Sequence, residues 1–185
     1  MCMSKAQLKS GKGDHYRRGP SPFPVHIGLA MSQYIKMRDL GKASPQDMER
    51  MLAGIMKYQQ HPYHRSVERL PVILEDGEVR VFFSAARNAA PHQAPSVLLI
   101  PSLINRSSIL DLLEEKSFLR WLSGKGVNSY LLDWGEPVRD TGLHRLDDAI
   151  TKKLCPALEK VSAHAGLPVH TLGYCMGGTL LAAAA

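Results

Sequence analysis

Val169-His170-Thr171-Leu172-Gly173-Tyr174-Cys175-Met176-Gly177-Gly178-Thr179-Leu180-Leu181 is the stretch on which the reading of this chain turns. Its first four residues have the pattern of a short strand, and its end opens an Ala/Leu-rich run with the character of a helix start. Between them, residues 173–177 spell Gly-x-Cys-x-Gly. In a sharp strand-to-helix turn, two glycines let strand and helix crowd together while the central residue sits strained at the tip with its side chain presented. The tip residue is Cys175. At a helix N-terminus, unpaired N–H groups and the helix dipole favour a thiolate, so the placement predicts a nucleophilic cysteine. The same geometry predicts an oxyanion hole. One N–H comes from the residue after the nucleophile, Met176, and another from the loop after an earlier strand, Pro101-Ser102-Leu103-Ile104-Asn105.

Upstream of the turn the chain alternates. Residues 97–100 are a continuous apolar run suited to a strand buried on both faces, 115–124 read as a helix with Phe118, Leu119 and Leu122 facing in, and 127–132 read as a strand. Residues 145–163 predict a second helix, with Leu146, Ile150, Leu154, Leu158 and Val161 along one face. Strand, helix, strand, helix, strand, helix implies right-handed crossovers and a parallel sheet covered by helices, an α/β fold. In front of it, β-rich runs on either side of Asp76-Gly77 predict an antiparallel hairpin over residues 72–83.

Farther toward the N-terminus the pattern becomes helical. A helix is expected over 25–40, and a second runs to Gln60 from Ser44 as N-cap, with Pro45 at the first helical position and Asp47 three residues after the cap. Met48, Met51, Leu52 and Ile55 make a stripe on it that reads as packing. Pro20, Pro22 and Pro24 mark an extended linker. The organisation expected is a basic flexible arm and linker over 1–24, a helical extension over 25–68, and the N-terminal half of an α/β catalytic domain over 69–185.

At 185 residues, 44% hydrophobic and 22% charged, with a mean hydropathy of −0.16, the composition is that of a folded globular chain. No apolar run reaches the roughly 18–20 residues of a membrane helix, and the N-terminus lacks the apolar core of a secretory signal, so a cytoplasmic location is expected. Of the net charge of +6, +4 lies in residues 1–20, where five Lys and Arg residues face only Asp14; this argues against a nucleic-acid partner for the rest. Cys2, Cys155 and Cys175 cannot all pair with one another and show no CxxC spacing, which argues against a disulfide framework and a structural zinc site. His61 and His64 form H-x-x-H without a third ligand, and no metal is expected there.

The stretch Ile100-Pro101-Ser102-Leu103-Ile104-Asn105-Arg106-Ser107-Ser108-Ile109-Leu110-Asp111-Leu112, then Ser117-Phe118-Leu119-Arg120-Trp121-Leu122, Leu132-Asp133-Trp134-Gly135 and Gly173-Tyr174-Cys175-Met176-Gly177-Gly178-Thr179, resembles the polyhydroxyalkanoate (poly-3-hydroxybutyrate) synthases of the α/β-hydrolase superfamily. The resemblance covers residues 97–181 and extends more loosely to Tyr58-Gln59-Gln60-His61-Pro62-Tyr63. It implies an α/β-hydrolase-like parallel sheet with an N-terminal antiparallel hairpin and a helical extension. It makes Cys175 the carrier of the growing acyl chain and the N–H groups of Met176 and Ile104 the oxyanion donors. The substrate implied is an (R)-3-hydroxyacyl-CoA and the product a polyester. No cofactor is implied beyond the coenzyme A of the substrate; dimers, a partner subunit in some members, and association with polyester granules are. Ser107 and Ser108 stand where family members often carry aromatic residues.

The chemistry of sulfur agrees with that implication. A thiolate attacking an acyl-CoA exchanges one thioester for another at little free-energy cost and leaves the acyl group activated for transfer to a hydroxyl, where serine would form a more stable oxygen ester. Water has to be excluded, or hydrolysis ends the chain. In this fold an acid and a histidine follow the nucleophile, yet the ten residues after Cys175 contain no Asp, Glu or His. The expectation is therefore the N-terminal part of a longer synthase-like protein, inactive and poorly soluble by itself. A thiol-dependent α/β hydrolase of esters or thioesters shares the turn and differs in the acceptor. A non-catalytic remnant that binds granules or a partner would survive loss of Cys175. Asp133-Trp134 reads as a structural anchor, Asp111 as a cap or turn residue, and Cys155 as packing.

Overall fold

The computed structural model describes residues 23–62, 65–89, 93–135 and 145–185. The expected arm therefore lies almost wholly outside the described residues, as do His64 and the stretch 136–144. The chain divides into two compact units, one ending at Tyr63 and the other beginning at His64.

The first unit holds two helices, α1 (Phe23–Asp39) and α2 (Pro45–Gln60). Helix α1 starts two residues earlier than the linker prolines suggest, because a proline in the first helical turn has no N–H that the helix needs. Helix α2 starts where its signal places it. The Asp47 carboxylate reaches back to accept from the Ser44 N–H at 2.9 Å and the Ser44 hydroxyl at 2.8 Å. These bonds, the backbone one first, hold the Asp47 carboxyl below the usual carboxylate range. The apolar stripe on α2 does not become a core: none of its residues is buried.

The second unit is a five-stranded sheet with helices on both faces. In chain order the strands are β1 (Val72–Asp76), β2 (Val79–Ser84), β3 (Ser96–Ile100), a small hairpin of β4 (Asp111–Leu113) and β5 (Lys116–Ser117), then β6 (Asn128–Asp133) and β7 (Val169–Gly173). Helix α3 (Phe118–Gly124) connects β5 to β6. Helix α4 (Leu146–Asp148) runs through a π-helical stretch (Ala149–Leu154) into α5 (Cys155–Ala165), and α6 (Met176–Ala184) follows β7. The sheet order is β1-β2-β6-β3-β7. Strands β1, β2 and β6 pair antiparallel, whereas β3 runs parallel to both β6 and β7. An antiparallel hairpin leading into parallel strands is the α/β-hydrolase-like arrangement that the motifs imply.

Each face of the sheet takes alternate side chains. Val81, Leu98, Ile100, Tyr130 and Leu132 pack under the π-helical stretch, α5 and α6, against Leu154, Ala157, Val161 and Leu180. Leu99 and Leu131 pack on the other face against Leu110 and Leu119, with Phe82 and Leu122 at the margin. Strand β3 is thus buried on both faces, as its unbroken apolar run requires. Strand β7 lies at the edge of the sheet, with His170, Thr171 and Leu172 exposed.

Four local readings change. The hairpin turns on Gly77-Glu78, with Asp76 paired to Val79, so Gly77 at φ 63° takes the first loop position where glycine is favoured. The helix expected from 115 begins at Phe118, because Lys116 and Ser117 pair with Leu113 and Asp111 and the Ser117 hydroxyl then caps the helix by accepting from the Arg120 N–H at 3.0 Å. Phe118 points outward and stacks on Trp121, its ring centroid 6.0 Å away. Leu146 is exposed, since the π-helical turns after it break the 3.6-residue stripe it was assigned to.

Candidate active site

The carboxyl ends of β3 and β7 are where the sheet changes direction. The chain leaves β3 toward α3 on one face and leaves β7 toward α6 on the other, so the connections part company at these two strand ends. Cys175 stands at the end of β7, and the loop beginning at Pro101 stands at the end of β3.

The turn has the geometry that its glycines demand. Cys175 adopts φ 55° and ψ −128°, a region that side chains rarely occupy, immediately before α6. Its neighbours make room for it. A Cβ on Gly173 would collide with the backbone of Gly178 and Gly177, and one on Gly177 would collide with the carbonyl oxygens of Ile100 and Pro101. Gly178 is different: a Cβ there would meet its nearest atom, the Gly173 carbonyl oxygen, at 3.4 Å. The Tyr174 N–H continues the β3–β7 ladder by donating to the Ile100 carbonyl at 2.8 Å. The Gly177 N–H donates to the Tyr174 carbonyl at 3.0 Å and the Gly178 N–H to the Cys175 carbonyl at 2.9 Å, which leaves the Met176 N–H outside these turn bonds at the head of α6. The Cys175 side chain is exposed, and Met176 is half-buried. Cys155, on α5, is half-buried.

The facing loop is anchored at its start and looser farther on. The Trp134 indole N–H, buried at the end of β6, donates to the Pro101 carbonyl at 2.9 Å, so Asp133-Trp134 is a structural anchor as its position suggests. Pro101 and Ser102 are buried; Ile104 and Asn105 are exposed. The Ile104 N–H donates to the Ser102 hydroxyl at 3.2 Å. Asp133 itself accepts from the Gly135 N–H at 3.2 Å and does not enter the turn.

Asp111 is more than a cap. Its carboxylate lies against the Arg120 guanidinium at 2.9 Å, both side chains only 10% exposed, and accepts a second contact from Arg65 at 3.3 Å. Arg120 also donates to the Glu68 carbonyl at 2.6 Å, so the segment 65–68 is tied to β4 and α3. Asp111 in β4 and Arg120 in α3 stand nine residues apart, whereas Arg65 lies 46 residues upstream of Asp111 and no local pattern announces it. The Trp134–Pro101 bond was likewise invisible from spacing, because it joins residues 33 apart in the chain. Among the described residues, no three His, Cys, Asp or Glu side chains cluster closely enough to hold a metal, and no helix is long and apolar enough to cross a membrane.

No family model matches the chain. Individual curated proteins do. The chain is 36% identical over 119 residues to the poly(3-hydroxyalkanoate) polymerase subunit PhaC of Haloferax mediterranei, a match that covers 62% of this chain and 24% of that protein. It is 41% identical over 85 residues to the subunit of the same name from Haloarcula marismortui, covering 45% and 18%, and 31% identical over 108 residues to that of Allochromatium vinosum, covering 58% and 30%. The chain spans less than a third of the length of these relatives. A soluble variant of monoglyceride lipase from Saccharomyces cerevisiae, solved with a substrate analog, aligns with a TM-score of 0.46 at 23% identity over 63% of this chain and 40% of that one. The resemblance to the polyhydroxyalkanoate synthases that the four motifs carry is thus borne out by sequence similarity to polymerases from separate organisms.

Proposed function

We propose that this chain, similar in sequence to part of the polyhydroxyalkanoate polymerases, is the nucleophile-bearing portion of an acyltransferase that polymerises (R)-3-hydroxyacyl-CoA through a thioester on Cys175. The observation that carries the reading is the backbone of Cys175, held at φ 55° on the turn between β7 and α6 with its side chain exposed. Fold strain of this kind is retained where a side chain has to be presented.

In the proposed step the Cys175 sulfur bonds to the acyl carbon of the substrate and the bond to the coenzyme A sulfur breaks, releasing CoA thiolate. The oxygen charge that develops is met by the Met176 N–H and by the loop amide of Ile104. The hydroxyl of a second hydroxyacyl group then takes the acyl group from Cys175. In that transfer a general base takes the proton of the acceptor hydroxyl, and the Cys175 sulfur leaves as thiolate. The product is a polyester, and the site of action is the granule that it forms.

The test is polyester accumulation in cells that express the gene in its full reading frame. Polymer forms with Cys175 intact and is absent with Cys175→Ala. Free 3-hydroxy acid without polymer would favour hydrolysis, and polymer from the Cys175→Ala protein would overturn the reading.

A further inference from the structure

The loop after β3 holds a contact that acyl transfer leaves unexplained. Ile104 is the residue whose N–H is assigned to the oxyanion hole, yet that N–H is engaged with the Ser102 hydroxyl oxygen at 3.2 Å. An amide has one hydrogen, and it serves one strong acceptor at a time. Ser102 is 0% exposed. The carbonyl before it, on Pro101, already accepts from the Trp134 indole, and Gly177 packs against the same carbonyl. The first half of the loop is therefore fixed, and a Ser102 hydroxyl deserted by Ile104 would be a buried acceptor without its donor.

We propose that Ser102 is a positioning residue that caps the oxyanion amide of the empty site, so that Ile104 is released only to an acceptor stronger than a serine hydroxyl. A ground-state thioester carbonyl is a neutral acceptor and competes poorly with the cap. The oxyanion of the tetrahedral intermediate forms a charge-assisted bond about twice as strong and displaces it. Ser102 thereby biases the Ile104 N–H toward the transition state, acting on the reaction through Ile104 and not by touching substrate. The proposal rests on Cys175 being the acylated nucleophile.

The test uses the whole chain and two thiol reagents. With p-nitrophenyl acetate the Cys175 sulfur bonds to the acetyl carbon and p-nitrophenolate leaves with the electron pair, through an oxyanion. With iodoacetamide the sulfur displaces iodide with no oxyanion. In Ser102→Ala the amide is uncapped, and acetylation of Cys175 is faster by roughly two- to tenfold, the span that one net hydrogen bond is worth, while alkylation is unchanged. Ser102→Thr keeps the hydroxyl and reacts at the original rate. Acetylation that slows or stays the same in Ser102→Ala overturns the proposal, as does a parallel change with both reagents, which would report only a loosened loop. If Cys175 of the unsubstituted chain is acetylated no faster than Cys155, the reading of Cys175 as nucleophile falls first, and it does so whatever Ser102 shows.

Discussion

Among the described residues only Asn88 and Cys175 are non-glycines with a positive φ. Asparagine visits that region with little strain, but cysteine has no comparable excuse, and a side chain held there costs about 1–3 kcal/mol. The strain persists because Gly173 and Gly177 let β7, α6 and the start of the loop after β3 approach until only hydrogen fits. Two expectations belong to this scale. Cys175→Gly relieves the turn and raises stability by about 1 kcal/mol in a denaturant titration while removing all acylation; an unchanged or lower midpoint would mean that the turn stores no strain. Gly177→Ala, by contrast, drives a methyl group into the carbonyls of Ile100 and Pro101 and costs about 3 kcal/mol or more, whereas Gly178→Ala, at 3.4 Å from its nearest neighbour, shifts stability by less than about 1 kcal/mol. Equal losses at the two positions would contradict the packing described.

At the scale of the element, what the sequence made legible was whatever is decided locally. Ser44, Pro45 and Asp47 mark the start of α2 because a cap is a contact over three residues, and the bonds from Ser44 to Asp47 stand there. The Asp47 carboxyl titrates below its ordinary range, so its support for α2 is complete above the ordinary carboxylate value and is lost as pH falls through the lowered one. Amide exchange at the start of α2 is therefore expected to accelerate only in acid below the usual aspartate range, and in Asp47→Asn to show no such step; a step at the ordinary value would refute the cap. Strand β5 falls inside the stretch 115–124 whose spacing predicts a helix, because a two-residue strand leaves no periodicity, and the Asp111–Arg120 ion pair ties the hairpin to α3. Arg120→Ala leaves the Asp111 carboxylate with only the more exposed Arg65, and a loss of about 3–5 kcal/mol is expected from thermal melts. A loss under about 1 kcal/mol would place that pair among surface contacts.

For the whole molecule, the sequence read outward from residues 169–181 yielded the parallel strands, the crossovers and the turn, since apolar runs and glycine spacing encode them directly. It did not yield the order of the strands or the partners of the loop amide. Those depend on Trp134 reaching Pro101 and on Ser102 reaching Ile104, contacts that exist only once β3, β6 and β7 lie side by side. Among the described strands β7 pairs with β3 and stands at the edge of the sheet. Everything proposed for the molecule's chemistry meets at one thiol, Cys175, at the end of that edge strand. Incubating the chain with 3-hydroxybutyryl-CoA and locating the acyl group by peptide mass spectrometry tests it most directly. One acyl group per chain is expected, on Cys175, with CoA released in equal amount; acylation spread over Cys2 and Cys155, or undiminished in Cys175→Ala, would contradict the role of that thiol.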